Sequence, residues 1–113
     1  MKKPIPDKAE VALEYPDKLY IGTFERSSRF DAHLDETGIS LTLERTGDAS
    51  THKTVHLHIH YGLFAEILHD LARTTRSMPI NDDGHLESLA KSVAALHDAL
   101  AARQGERRSE SHA

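Results

Sequence analysis

The chain has 113 residues, no cysteine, 14 basic against 18 acidic side chains and a formal charge of −4. That length suits one domain with a modest core. The missing thiols exclude disulfides, thiolate metal sites and cysteine nucleophiles, and the acidic balance argues against a general affinity for nucleic acid.

Nine histidines are many for this length, and nine added protons would carry the charge from −4 to +5. The surface field is therefore expected to reverse sign in mildly acidic solution. The opening residues, MKKPIPDKAE, put no apolar run behind their lysines, which predicts no secretory signal, and no stretch reaches membrane-spanning length. The expected setting is cytoplasmic.

Residues 1–17 mix Pro4, Pro6 and Pro16 with charge and are expected to form a mostly irregular arm, although Val11, Leu13 and Tyr15 alternate as an edge strand would. From Lys18 a strand pattern begins. KLYIGTF (18–24) is rich in β-branched and aromatic residues, and ERSS (25–28) reads as a turn. RFDAHL (29–34) sets Phe30, Ala32 and Leu34 against Arg29, Asp31 and His33. DETG (35–38) is a second turn, its glycine placed where a positive φ is commonly needed.

ISLTLE (39–44) alternates Ile39, Leu41 and Leu43 with Ser40, Thr42 and Glu44, and a loop follows at 45–52. TVHLHIHYG then sets Val55, Leu57, Ile59 and Tyr61 against His56, His58 and His60. His52, His56 and His60 would also align on a helix, but the β-branched residues and the strict alternation favour a strand. The pattern predicts an antiparallel meander of about four strands (18–24, 29–34, 39–44, 53–61) with one apolar and one polar face.

The period then lengthens. Leu63, Phe64, Ile67, Leu68 and Leu71 predict a helix over 63–76, closed by Pro79. Asp82 or Asp83 is the expected cap of a second helix over 84–103, whose Leu86, Leu89, Val93, Leu96 and Leu100 form a heptad stripe and whose Glu87 and Lys91 form an i,i+4 pair. Residues 105–113 are expected to be a disordered tail. The fold class is thus α+β, with residues 18–104 as one domain and both helices packed on one face of the sheet.

On a strand the three imidazoles of His56, His58 and His60 share one side, with neighbours roughly 6.6 Å apart along the chain. One pair would be close enough to share a divalent transition metal (zinc, nickel or iron), with Asp31, His33 or Glu44 as a third ligand. The alternatives are a solvated strand face and a proton-sensitive contact surface. Phosphate loops, nucleophile elbows and His-Glu-x-x-His helices are absent from the sequence. Arg26 and Arg29, flanked by Phe24 and Phe30, together with the arginines near the end, give a weaker pointer to a nucleic-acid accessory factor.

The expectation is a non-enzymatic protein–protein interaction or accessory module, associating with a protein partner or with itself as a homodimer, and using no cofactor. Its expected contact surface is the polar sheet face with Arg29, Asp31, His33, His56, His58 and His60. A metal-binding domain built on His56, His58 and His60, or a metal-dependent enzyme using them, is the main alternative.

Overall fold

A computed structural model describes residues 2–47, 52–77 and 83–111. It is an α+β fold with six strands, β1 (Lys3–Pro4), β2 (Ala9–Tyr15), β3 (Lys18–Phe24), β4 (Arg29–Leu34), β5 (Gly38–Arg45) and β6 (Lys53–His60), followed by helices α1 (Tyr61–Ser77) and α2 (Asp83–Ser111). Residues 1–71 and 72–113 form two compact units. Pro79 and Asp82, read as a helix stop and a cap, lie outside the described residues.

The meander differs from expectation at its first strand. The four-stranded sheet has the order β1-β4-β5-β6, while β2 and β3 form a separate antiparallel pair. The outer edge of β4 is occupied at its start by β1, through Lys3 opposite Phe30 and Pro4 opposite Arg29. The Ile5 N–H extends that contact by donating to the Ser28 carbonyl at 3.0 Å. β3 instead folds back on β2 over seven register pairs, from Ala9 opposite Phe24 to Tyr15 opposite Lys18.

Pro16 and Asp17 make the turn between β2 and β3. Proline is pre-set for the first central position of a type I turn, and Asp follows it readily. Tyr15 and Tyr20 meet edge to face at 6.1 Å beside this turn, and the Lys18 ammonium sits 5.7 and 5.5 Å from their ring centres.

β4, β5 and β6 follow the alternation in the sequence. Leu34, Ala32 and Phe30 stand opposite Ile39, Leu41 and Leu43. Those residues in turn stand opposite Ile59, Leu57 and Val55. This aliphatic face was expected to be core, yet none of its nine side chains is buried, and Leu57 keeps 46% of its surface exposed. The buried hydrophobic residues among those described are Ile5, which follows β1 and bonds to Ser28, and Phe24, which ends β3.

β6 passes into α1 without a loop. α2 carries the expected Glu87–Lys91 ion pair at 3.1 Å, and it continues beyond Arg103 and through Gly105 to Ser111. A glycine costs an exposed helix only about 1 kcal/mol, which is too little to stop it. The heptad stripe of α2 is open, with Leu89 58% and Val93 60% exposed. Among the described residues no helix is long and apolar enough to cross a membrane.

Candidate functional site

The residues singled out in the sequence share the polar face of the sheet. Ser40 lies opposite both His33 and His58, Thr42 opposite both Asp31 and His56, and Glu44 opposite Arg29. His56, His58 and His60 are all exposed. The alternation therefore placed them correctly, because successive strand residues point to opposite faces.

They do not act as one cluster. His33 Nδ1 pairs with Asp31 Oδ2 at 2.7 Å on its own strand. Glu44 is taken by the Lys2 ammonium, which holds its carboxyl below the usual carboxylate range. His56 Nδ1 lies 3.1 Å from Thr42 Oγ1. The rings of His58 and His60 approach edge to face at 5.0 Å. The expected third ligands, Asp31, His33 and Glu44, are engaged elsewhere, and no group of three or more His, Asp or Glu side chains suited to a metal occurs among the described residues.

The densest polar network centres on Asp35, a residue the sequence marked only as part of a turn. Its Oδ1 accepts from the backbone N–H groups of Thr37 at 3.0 Å and Gly38 at 3.1 Å. Its Oδ2 accepts from the Ser40 hydroxyl at 2.9 Å. The Thr37 amide, then Ser40 and Gly38, with the nearby His58, pull the Asp35 carboxyl down to about 2.

His58 joins this network from β6. Its Nδ1 lies 3.0 Å from Ser40 Oγ and its Nε2 2.8 Å from Thr37 Oγ1. Because Ser40 gives its only proton to Asp35, its oxygen accepts from a proton on Nδ1 of His58. The network closes on the start of α1, where the Tyr61 N–H donates to the Thr37 carbonyl at 3.2 Å and the Tyr61 hydroxyl donates to the Asp35 carbonyl.

Gly38 is positioned for a reason other than the one expected. Among the described residues no glycine has a positive φ. A Cβ built at Gly38 would stand 2.1 Å from the Ile59 carbonyl oxygen and 2.8 Å from the His60 Cα. The turn lies directly against the backbone of β6, and only a residue without a side chain fits.

Chemically, the arrangement is a latch. A catalytic serine donates to an imidazole that a carboxylate orients from the far nitrogen. Here the serine stands between imidazole and carboxylate and donates to the carboxylate, so its oxygen is not activated. The signal for this latch was the Asx-turn sequence DETG together with the hydroxyl of Ser40.

The basic–aromatic pointer is also diluted in the structure. Arg26 lines an open hollow with Asp7, Lys8, Glu25 and Ser27, and Arg29 faces Glu44. Arg103 pairs with Glu106 at 3.6 Å. Comparison with family models, with curated proteins and with solved structures returned no match to this chain.

Proposed function

We propose that this chain is a non-enzymatic protein–protein interaction module that works by associating with a second copy of itself. One observation carries the reading: none of the nine side chains of the aliphatic sheet face is buried, and Leu57 is 46% exposed. Apolar area left in water is the main source of free energy for association, at roughly 25 cal/mol per Å² covered. The polar face, with Arg29, Asp31, His33, His56, His58 and His60, supports this choice of surface. Asp31 is bonded to His33, and His56 and His58 to hydroxyls of the same sheet, so covering that face gains little net hydrogen bonding.

The test is light scattering on the purified chain and on Leu57→Asp at micromolar concentration, with circular dichroism as a control for folding. The wild type is expected at above one chain's mass and Leu57→Asp, still folded, at one chain's mass. A wild type that elutes as a single chain, or a variant that associates equally well, overturns the reading.

A further inference from the structure

On β3, Tyr20, Gly22 and Phe24 share one face, because strand side chains alternate. Leu13, Val11 and Ala9 of β2 stand opposite them. The middle of this apolar face therefore carries Val11 on one strand and no side chain on the other. A Cβ built at Gly22 would meet only ordinary contacts, 3.6 Å to the Phe24 ring and 3.9 Å to Cδ of Lys53, and the Gly22 φ is not positive. Neither backbone strain nor a close approach requires glycine here. What its missing side chain leaves is space.

That space is an apolar hollow of ≈ 390 Å³ between the hairpin and the first residues of β6, within the roughly 300–1,000 Å³ of small-molecule sites. Of its apolar residues, Phe24 is buried, Val11 and Val55 are half-buried, and Leu13 and Tyr20 are open to water. Among the described residues no Asp or Glu lines it, whereas Lys53 does.

Lys53 is half-buried, and its ammonium lies two bonds beyond the Cδ that faces Gly22. Lys2, Lys8 and Lys91 pair with Glu44, Glu10 and Glu87, and Lys18 sits over two tyrosine rings. Among the described residues no carboxylate pairs with Lys53. Arg45 stands opposite it on β5 and adds a second positive charge nearby. A cation partly removed from water without a partner is costly, and an anion beside it offsets that cost.

We propose that this hollow binds a small apolar monocarboxylate, with its hydrocarbon part against Val11, Phe24 and Val55 and its carboxylate on Lys53. Apolar walls with one convergent charge are the make-up of a site for such an amphiphile. The ammonium selects the acid over the corresponding alcohol, and the walls select a long hydrocarbon part over a short one. The site does not rest on self-association. A chain that stays single binds the acid, and a failure to bind leaves association untouched.

The probe is sodium octanoate below its micelle concentration, followed through the amide resonances of the isotope-labelled full chain. Saturable shifts are expected at Val11, Gly22, Phe24 and Val55, with octanol about tenfold weaker and acetate without effect. Shifts that do not saturate, or that spread equally to Leu19 and Leu34, overturn the site. Lys53→Met keeps the stem and removes the charge. It is expected to weaken octanoate about tenfold and to leave octanol unchanged; equal octanoate affinity in variant and wild type overturns the role of Lys53. Gly22→Leu fills the space and is expected to abolish binding of both probes while circular dichroism stays native. A folded Gly22→Leu that binds octanoate like the wild type overturns the location.

Discussion

A single methyl group at position 38 would meet the backbone of the neighbouring strand. The Gly38 Cβ would lie 2.1 Å from a carbonyl oxygen, and a backbone contact cannot be relieved by a rotamer change. Gly38→Ala is expected to cost about 3 kcal/mol, at the upper end of ordinary overpacking, seen as a lower urea midpoint. Asp35 supplies a second residue-scale prediction. Its folded carboxyl lies at about 2, below the ordinary 3.8. The stabilisation it brings is complete above about pH 4 and is lost as the pH falls toward about 2. Urea titrations across that window should show this slope in the wild type and a shallower one in Asp35→Asn. The sequence displayed the histidines and their common face. It did not display Asp35 as a neighbour of His58, because the alignment of β6 on β5 passes through the loop after Arg45, whose length leaves the register open.

At the scale of elements, strict alternation made β4, β5 and β6 readable, and each aliphatic residue assigned to one face is on it. The same signal at Val11, Leu13 and Tyr15 was weaker, because Ala12 is neither clearly inward nor outward and three prolines surround the segment. The Pro16–Asp17 turn, flanked by two alternating runs, is the mark of a hairpin in this stretch. Without that hairpin, β3 falls beside β4, a position filled instead by Lys3 and Pro4. Helix type was plain from the spacing of leucines, whereas the end of α2 was not. Gly105 resembles a C-terminal stop, but a Cβ there would meet nothing within 4 Å, so the glycine marks neither a cap nor a contact.

For the whole molecule, the informative mismatch is between pattern and burial. The apolar stripes are where the sequence puts them, yet Leu57, Leu89 and Val93 remain about half or more exposed. A sequence specifies which face is apolar, and the same pattern serves a core within one chain or a contact between two. For the sheet's aliphatic face, the proposed cover is a second copy of the chain. Sedimentation equilibrium of the unmodified chain across the micromolar range tests this most directly. The expected result is a reversible shift from one chain's mass to twice that mass as concentration rises; a constant single-chain mass throughout would contradict it.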